Sequence, residues 1–506
     1  MSEVAFIANA FLNGFISVLE FSVFGAMMVG IVAGMIVGLI PGLGGLIAQI
    51  LLIPFALQME PLHAYVMLLG VYAVTTQTDS IPAVLLGVPG TAAALATSLD
   101  GYPMAKRGEA GRALCASYYA SIFGTFVAAG IFILFLPGLR ALVLNFSSPE
   151  FFTMILLGLV MASSLSGKSP SRGLLMGGLG LIISMIGQAP ATGDTRFAGE
   201  ILYLWEGMPL IPVVLGIFAI PEVVDLAVRN TTIASTNAGE KVSGIVTGFV
   251  DCLQNWWLII KCSVIGVVTG FIPGLGGAVA EWMSYAVAVT SDKAPDSFGK
   301  GNVRGVIAPE TGTASHKPGA IIPTVAFGIP GNNAMAILLV VFVMLGLRPG
   351  PEMLDQQLDL TFTMVSVVII GNIVAALLAL ILQRWLVKLC FIRANLLVPF
   401  ILAAMIVGAS FTRLSFGDII VFVLAGTLGY VFKHADWPRV PLIMGLIMGR
   451  IAEPYLFSTV DRYGYEWLYT RPIVAVLIVF IFLVLAAPYW RKWRRQNRLQ
   501  VHGGKG

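Results

Sequence analysis

Gly34-x-x-x-Gly38-x-x-Pro41-Gly42-x-Gly44-Gly45 decides the fold, because the same pattern returns as Gly266-x-x-x-Gly270-x-x-Pro273-Gly274-x-Gly276-Gly277. A second pair of stretches follows in the same order, Gly87-Val88-Pro89-Gly90 in the first copy and Gly328-Ile329-Pro330-Gly331 in the second. Chance matches would not keep both the spacing within each motif and the order of the motifs. The chain therefore consists of two homologous halves.

The boundary between the halves lies in a polar stretch. A fainter third pair, Pro212-x-x-x-Gly216 and Pro441-x-x-x-Gly445, keeps the same order as the first two. Residues 229–241 are polar and are predicted to form a linker. We therefore expect the following organisation: a first repeat half at 1–228, the linker at 229–241, a second repeat half at 242–488 and a basic tail at 489–506.

The composition excludes a water-soluble protein. Apolar residues make up 58% of the 506 residues and charged residues 11%, whereas soluble domains carry about 25% charged residues. A bilayer crossing takes about 20 apolar residues. The plainest stretches of this kind are Phe21–Ile40, Leu114–Leu136, Met208–Val228, Thr361–Leu382 and Pro472–Ala487. Together with shorter, interrupted stretches they predict an all-α integral membrane protein with about 12 membrane elements embedded in a lipid bilayer.

The distribution of basic residues predicts how the halves are oriented. Between its two motifs the second half carries basic residues that Leu46–Leu86 lacks: Lys293, Lys300, Arg304 and Lys317. After the second motif the bias reverses, since the first half has Lys106, Arg107 and Arg112 where the second half has Arg348 alone. Because basic loops face the cytoplasm, corresponding loops should lie on opposite sides of the membrane. This is an inverted-topology repeat, which is typical of secondary transporters.

A basic cluster follows the last apolar stretch. It comprises Arg491, Lys492, Arg494, Arg495 and Arg498. A short, terminal cluster favours a topology anchor over nucleic-acid binding, so we expect no nucleic-acid partner. The C-terminus is then cytoplasmic, in a multi-pass protein of a bacterial inner membrane.

The proline and glycines of the first motif pair predict breaks in spanning helices. A broken helix at membrane depth is tolerated where protein or a water-filled cavity surrounds it. The helices that resume at Leu46 and Ala278 would point free N–H groups into that cavity, an arrangement that suits a carboxylate. The predicted substrate-binding residues here are Pro41, Gly42, Gly44, Gly45, Pro273, Gly274, Gly276 and Gly277. Close helix packing is the alternative, which we favour only for Gly34-x-x-x-Gly38.

The second motif pair predicts another broken element in each half. Hydroxyl or amide side chains stand just past each break and could contact the same solute. The substrate-binding residues predicted from this pair are Gly90, Thr91, Gly331, Asn332 and Asn333.

Ionisable residues lie in apolar surroundings before these second breaks, where they are functional candidates. We predict that Lys317 neutralises a substrate carboxylate. We also predict that Asp79 with Thr78, and Glu310 with Thr311, hold a coupling cation from matching positions of the two repeats. Location in ordinary loops is the alternative, and Glu281 is interpreted as a capped or paired helix residue.

These motifs, with three further stretches, resemble the large membrane subunit of the tripartite tricarboxylate transporter family over nearly the whole chain. The further stretches are Asp100-Gly101-Tyr102-Pro103-Met104-Ala105, Gly305-Val306-Ile307-Ala308-Pro309-Glu310-Thr311 and Gly346-Leu347-Arg348-Pro349-Gly350-Pro351. The resemblance implies an importer of citrate or related carboxylates that is driven by a sodium ion or proton gradient and needs no cofactor. It also implies two partners, a small four-helix membrane subunit and a periplasmic solute-binding protein.

Two stretches, Gln77-Thr78-Asp79 and residues 312–317, differ from the usual pattern of that family. The resemblance therefore leaves the particular carboxylate open.

Two other classes of function fit the sequence less well. An intramembrane enzyme would need a nucleophile with its base, or a metal motif. His63, His434 and His502 stand alone in the sequence, so we predict no metal site other than one for a transported sodium ion. A channel also fits a multi-pass chain, but duplicated broken helices with an intramembrane acid favour a transporter.

Overall fold

A computed structural model describes residues 3–39, 44–87, 91–165, 169–189, 192–228, 244–389, 398–410 and 413–486. The helices of the first half are α1 (Glu3–Leu19), α2 (Phe21–Gly38), α3 (Gly44–Ala56), α4 (Pro61–Leu86), α5 (Leu95–Lys106), α6 (Ala110–Leu144), α7 (Ser148–Leu165), α8 (Pro170–Ser184), α9 (Leu210–Val214) and α10 (Ile220–Val228). The helices of the second half are α11 (Ile245–Gln254), α12 (Trp256–Phe271), α13 (Gly276–Ser291), α14 (Arg304–Phe327), α15 (Asn333–Met344), α16 (Pro351–Leu354), α17 (Leu358–Leu389), α18 (Val398–Ser410), α19 (Phe416–His434), α20 (Arg439–Tyr463), α21 (Trp467–Thr470) and α22 (Pro472–Ala486).

Short elements complete the described structure. Single 3₁₀ turns occur at Ala92–Ala94, Leu202–Leu204 and Pro295–Ser297, and a π-helical turn at Leu215–Ala219 joins α9 to α10. The described residues contain one small sheet. It consists of two two-residue strands that pair antiparallel, β1 (Gly187–Gln188) and β2 (Thr195–Arg196).

Five of the described helices are long and apolar enough to cross a bilayer: α2, α6, α17, α19 and α20. The pair α11 and α12 passes the same test together and is bent by 77°. Several shorter apolar helices, including α3 and α15, accompany them. The prediction of an all-α membrane protein with interrupted helices is confirmed.

Proline and glycine set the ends of the two central helices. α4 begins at Pro61, where the missing N–H costs nothing because the first turn has no acceptor for it. It ends at Gly87 with φ +66°, and α14 ends in the same way at Gly328 with φ +68°. Left-handed backbone of this kind favours glycine. The second motif pair therefore stops both helices at the positions where the sequence predicts breaks.

The chain forms two compact units, and each unit takes segments from both repeat halves. The larger unit comprises Met1–Val143 and Ile211–Tyr430, and the smaller comprises Leu144–Leu210 and Val431–Gly506. In the smaller unit α7, α8 and α20 pack together. The ion pair between Arg196 and Glu453, at 2.7 Å, ties the strand pair to α20. The predicted linker at 229–241 and the basic tail at 489–506 lie outside the described residues.

Glycines of the third motif pair serve helix packing. In the larger unit a Cβ on Gly216 would lie 2.6 Å from the carbonyl oxygen of Phe422 on α19. In the smaller unit a Cβ on Gly445 would lie 2.9 Å from the backbone nitrogen of Leu181 on α8. Both distances are shorter than real Cβ contacts, so a side chain at either position would push two helices apart.

Each first motif joins two helices that form a hairpin beside a central helix. In the first repeat α2 lies against α4, with Gly30 beside Met67 and Gly38 beside Thr78, so the two helices run in the same direction. The next helix, α3, packs on α4 and returns along it. The second repeat builds the same hairpin from α12 and α13 on α14, with Gly266 beside Gly312 and Gly270 beside His316.

The central helices α4 and α14 cross antiparallel. Lys317 Nζ donates a hydrogen bond to the Ala73 carbonyl oxygen at 2.9 Å, and Ser80 Oγ donates to Glu310 Oε1 at 2.7 Å. Residues later in α4 therefore lie beside residues earlier in α14. Because each hairpin lies parallel to its own central helix, the two hairpins enter this crossing from opposite ends.

The loops that precede the two central helices lie at opposite ends of this pair. At the start of α4, the Tyr65 ring packs on Phe342 near the end of α15. At the start of α14, Asp100 of α5 accepts hydrogen bonds from the N–H groups of Gly301 and Asn302, both at 2.8 Å. The structure thus agrees with the inverted repeats that the basic residues predict.

The loop between α13 and α14 is held by charge. Asp292 pairs with Arg304 at 2.7 Å, and the N–H of Ala294 also donates to Asp292. This backbone hydrogen bond, together with the Arg304 charge, holds the pKa of Asp292 below its ordinary value.

Labelling of single cysteines tests the membrane orientation of these loops. Lys106, at the end of α5, and Lys300, before α14, belong to segments joined by a hydrogen bond from Arg107 to Gly301. In a background without the four native cysteines, cysteines at both positions should be shielded from an impermeant thiol reagent on the periplasmic side. Glu60, whose exposed side chain stands before α4, is the matched position that should label readily. Ready labelling at Lys106 or Lys300 would contradict the orientation.

Candidate functional site

The candidate site lies where the broken elements of both repeats meet the α4–α14 crossing. Thr91 and Asn332 stand at equivalent places after the second breaks, and each caps the helical segment that follows. Each also bonds to α4: Thr91 Oγ1 donates to Asp79 Oδ2 at 2.6 Å, and Asn332 Nδ2 donates to the Tyr72 hydroxyl at 2.6 Å. The two breaks are therefore attached to one helix, about two turns apart.

Glu310 lies at the centre of this junction. Its side chain is buried, and its Oε1 accepts hydrogen bonds from Ser80 Oγ of α4 and from Thr97 Oγ1 of α5, both at 2.7 Å. The hydroxyl of Ser117 on α6 is also close. A carboxylate on the second repeat is thus held by hydroxyls of the first.

Glu281 connects the second hairpin to the first repeat. This α13 residue is completely buried, and its Oε1 accepts hydrogen bonds from the N–H groups of Ala96 at 2.7 Å and Thr97 at 3.2 Å. Those groups belong to the first turn of α5, which has no acceptors within its own helix. Glu281 therefore caps a helix of the opposite repeat.

Lys317 supplies the positive charge at the junction. Its side chain is 3% exposed, and its ammonium group lies 5.6 Å from the centre of the Tyr72 ring. The hydrogen bond to Ala73 uses one of its three N–H donors. Its charge interacts with those of Asp79 and Glu310. Lys317 is therefore placed to attract an anion into a region that already contains carboxylates.

Several buried polar atoms of the junction have no hydrogen-bond partner among the described residues. They include Asp79 Oδ1, Glu281 Oε2, Glu310 Oε2, Thr313 Oγ1 and His316 Nε2. Buried polar groups normally find partners because an unpaired one is costly. Within the described ranges, no three histidine, cysteine, aspartate or glutamate side chains are arranged to bind one metal ion.

The two hairpin tips differ in the space around their glycines. Gly276 has φ +72°, and no atom of the described residues lies within 4 Å of the place where its Cβ would be. Gly277 beside it has no such atom closer than 3.7 Å. In the first hairpin, by contrast, a Cβ on Gly44 would lie 2.7 Å from Thr91 Cγ2, and Gly45 packs against Thr75. A ligand therefore has room to approach the backbone at Gly276 of the second hairpin, whereas side chains restrict its approach at Gly44 of the first.

A matched pair of alanine substitutions separates binding from packing. Gly276→Ala adds a methyl group to open space, so folded protein should form even though positive φ costs about 1 kcal/mol, and uptake should fall at least tenfold because the methyl group blocks the backbone. Gly331→Ala places its Cβ 2.6 Å from the Gly270 carbonyl oxygen, so it should reduce folded protein instead. Uptake per folded molecule and size-exclusion profiles measure both effects. Normal uptake by Gly276→Ala would contradict the binding role.

The remaining predicted site residues differ in where they lie. Pro41, Gly42 and Gly90 lie outside the described residues. Gly274 has φ +87° next to the second tip, and Asn333 is exposed. The predicted site residues that meet at the junction are Asp79, Thr91, Glu310, Lys317 and Asn332, all within or capping helices, so the loop alternative does not hold for the ionisable ones.

The hydroxyls of Thr78 and Thr311, the predicted cation ligands beside Asp79 and Glu310, each donate a hydrogen bond within their own helix. Thr78 Oγ1 donates to the Thr75 carbonyl oxygen at 3.1 Å, and Thr311 Oγ1 donates to that of Ile307 at 2.7 Å. Both hydroxyls thus bond to the preceding turn of their own helices, a common arrangement for threonine inside helices.

Asp79 and Glu310 meet without being equivalent in the two repeats. Asp79 lies as many residues before Gly87 as Ala320 lies before Gly328, so the equivalent of Asp79 in the second repeat is Ala320. The expectation of matching positions was therefore wrong, because the antiparallel crossing brings together residues that differ in their distance from the breaks.

Glu281, Ser80 and Thr97 belong to the junction although they were not among the predicted ligands. The repeat contains a signal for Glu281, because Glu281 lies as many residues after Gly277 as Gln49 lies after Gly45. One repeat thus carries a carboxylate where the other carries an amide. Ser80 and Thr97 carry no comparable signal.

The chain is similar in sequence to known proteins. A protein of Agrobacterium vitis, described as an uncharacterized 52.8 kDa protein in the TAR-I ttuC′ 3′ region, is 29% identical over 454 residues, covering 89% of this chain and 90% of its own length. A second A. vitis protein, from the TAR-II ttuC′ 3′ region, is 29% identical over 215 residues, covering 42% of this chain and 89% of its own length. No solved structure matches the chain. The model of the tripartite tricarboxylate transporter TctA family matches residues 24–444, and the chain therefore belongs to that family of membrane transporter subunits.

Proposed function

We propose that this chain is the large transmembrane subunit of a cation-coupled, binding-protein-dependent secondary transporter that imports a small dicarboxylate or tricarboxylate. One observation carries the proposal: the antiparallel crossing of α4 and α14, one helix from each repeat, brings buried carboxylates and a buried lysine together. Sites built from discontinuous helices at a repeat interface are typical of secondary transporters. Membership of a transporter family supports the same function.

The solute site is proposed between Lys317 and the second hairpin tip. α13 begins at Gly276, and the first N–H groups of a helix have no acceptor within it. Together with the positive end of the helix dipole they favour a carboxylate. Lys317 would contact a second carboxylate of the same solute through its unused N–H donors. A solute with at least two carboxylates would use both features.

The coupling cation is proposed at the carboxylates. Asp79 and Glu310 are buried and close enough for their charges to interact, and Asp79 Oδ1 has no hydrogen-bond partner among the described residues. A sodium ion or a proton bound at Asp79 would relieve this repulsion and would prepare the junction for an anionic solute. Binding of the cation and of the solute would then favour each other.

The partners and location follow from the same proposal. A tripartite transporter has two further components, which we propose to be the small four-helix membrane subunit and the periplasmic solute-binding protein. The basic cluster after the last apolar stretch supports a cytoplasmic C-terminus in a bacterial inner membrane.

Solute counterflow in proteoliposomes tests this function against a channel or an enzyme. The complete three-component system is supplied with labelled citrate, and then with labelled dicarboxylates, under imposed sodium or proton gradients and without ATP. We expect exchange of labelled for unlabelled solute and faster uptake with an inward cation gradient. Dissipation without counterflow would indicate a channel, chemical change of the solute would indicate an enzyme, and uptake insensitive to every cation gradient would contradict coupling.

A further inference from the structure

The charges at the junction do not balance. Asp79, Glu281 and Glu310 are each at most 6% exposed, and among the described residues Lys317 is the buried basic side chain whose charge interacts with Asp79 and Glu310. His316 also faces this region, but its ring contacts Thr269 and none of the carboxylates. Three carboxylates against one ammonium group leave two negative charges, a costly state for a site at membrane depth. Two positive charges from outside the chain would restore the balance.

Glu281 and Glu310 form one half of this arrangement, because both bond to Thr97. The Thr97 backbone N–H donates to Glu281 and its side-chain hydroxyl donates to Glu310. The charges of the two carboxylates repel each other. Thr97 does not neutralise the two carboxylates, because its backbone N–H and its hydroxyl are both uncharged donors.

Asp79 is held by a different segment, although its charge also interacts with those of Glu281 and Glu310. It bonds to Thr91 on the other broken segment, and no three acidic or imidazole side chains in the described part of the chain converge on one metal position. One ion shared by all three carboxylates is therefore disfavoured. Asp79 Oδ1 and Glu281 Oε2 are both buried and unpaired, so each half retains an oxygen that can accept its own cation.

The two repeats differ at this point. Gln49 occupies the position of Glu281 in the first repeat, and its amide donates to the Leu68 carbonyl oxygen at 3.4 Å. The first hairpin is thus held by a neutral contact with its own repeat. The second hairpin is held by a carboxylate that reaches across to α5, so its attachment depends on charge.

We propose that Glu281 and Glu310, linked through Thr97, form a second cation site separate from Asp79, so that two monovalent cations bind in each transport cycle. The inference rests on the proposed cation coupling and adds to it the number of ions and the residues of the second site. With the cation bound, the second hairpin stays attached to α5. Loss of the cation leaves Glu281 and Glu310 mutually repelling and loosens that contact.

Counting cations bound to the purified full-length subunit tests this inference. Equilibrium binding of radioactive sodium counts sodium ions, and acid titration in sodium-free choline buffer counts protons. One of these two measurements will detect cation binding by the wild type. In that measurement we expect Glu281→Gln to bind one cation fewer than the wild type. Gln49→Ala is the matched control and should keep the wild-type count. Equal counts for wild type and Glu281→Gln in both arms would overturn the second site.

A measurement on the wild type covers the case in which Glu281→Gln does not fold. An apolar carbodiimide reacts with protonated carboxyl groups in apolar surroundings, and peptide mapping locates the adduct. We expect modification at Glu281 that saturating sodium, or a more alkaline pH, suppresses severalfold. Modification unaffected by both would overturn the proposal. If the wild type binds neither sodium nor protons, the cation coupling of the proposed function fails as well, which distinguishes the two results.

Discussion

Lys317→Met should weaken solute uptake by roughly ten- to hundredfold, the effect expected when a charge-assisted hydrogen bond worth about 1.5–3 kcal/mol is lost. Methionine keeps the length and the apolar stem of lysine but has no N–H donors. The buried ammonium group has one hydrogen bond within the described structure, to Ala73, and lies beside the Tyr72 ring. We therefore expect its remaining donors to bind a solute carboxylate. Initial rates of uptake over a range of solute concentrations would show the change as a raised KM.

Two further variants separate solute binding from structural neutralisation. Lys300→Met removes a lysine from the loop before α14 and should behave as the wild type. Lys317→Arg keeps the charge and should restore part of the affinity, although the guanidinium group is larger and its geometry differs. If Lys317→Met kept the wild-type KM but gave less folded protein, the lysine would serve only to balance Asp79 and Glu310.

The duplicated motifs allowed most of the architecture to be predicted from the sequence. Proline and glycine act locally, through a missing N–H and through positive φ, so helix ends at Gly87 and Gly328 are readable without tertiary information. The bias of basic residues is likewise a property of whole segments. It predicted that corresponding loops lie at opposite ends, as the contacts of Tyr65 and Asp100 place them.

The pairing of side chains at the site could be predicted only in part. Asp79, Glu310 and Lys317 were identified because ionisable residues in apolar stretches are costly and need a reason to be there. Their partners depend on the crossing of two helices far apart in sequence. The bond between Ser80 and Glu310 spans 230 residues and follows no local rule.

Composition does not show which hydroxyls bond within their own helix. Thr78 and Thr311 stand beside the predicted acids and carry the oxygen ligands that hard cations prefer. Their hydroxyls nevertheless bond to carbonyl oxygens of the preceding turn, because helical geometry always offers that acceptor. Glu281, interpreted from the sequence as a capped or paired helix residue, accepts hydrogen bonds from backbone groups of α5, which no side-chain pattern identifies in advance.

Asp79→Asn should make uptake much less dependent on the driving cation, and it should lower the Hill coefficient for that cation by about one if two ions bind. Asparagine keeps the shape of the side chain and can still accept the hydrogen bond from Thr91. It removes the charge of a buried carboxylate whose second oxygen has no partner in the described structure. Lys317 interacts with Asp79, but Lys317 is also shared with Glu310, so the lysine alone does not neutralise both acids.

Asp100→Asn is the matched control, since Asp100 is also a fully buried carboxylate but has all the partners it needs. Its oxygens accept hydrogen bonds from the Gly301 and Asn302 N–H groups and from the Tyr285 hydroxyl at 2.9 Å. That substitution should reduce the amount of folded protein and leave the cation dependence of the remaining uptake unchanged. Initial rates measured across sodium concentration and pH would distinguish the two carboxylates. Wild-type sodium and pH dependence in Asp79→Asn would remove Asp79 from the coupling site and leave Glu310, held by two hydroxyls at the same crossing, as the carboxylate to substitute next.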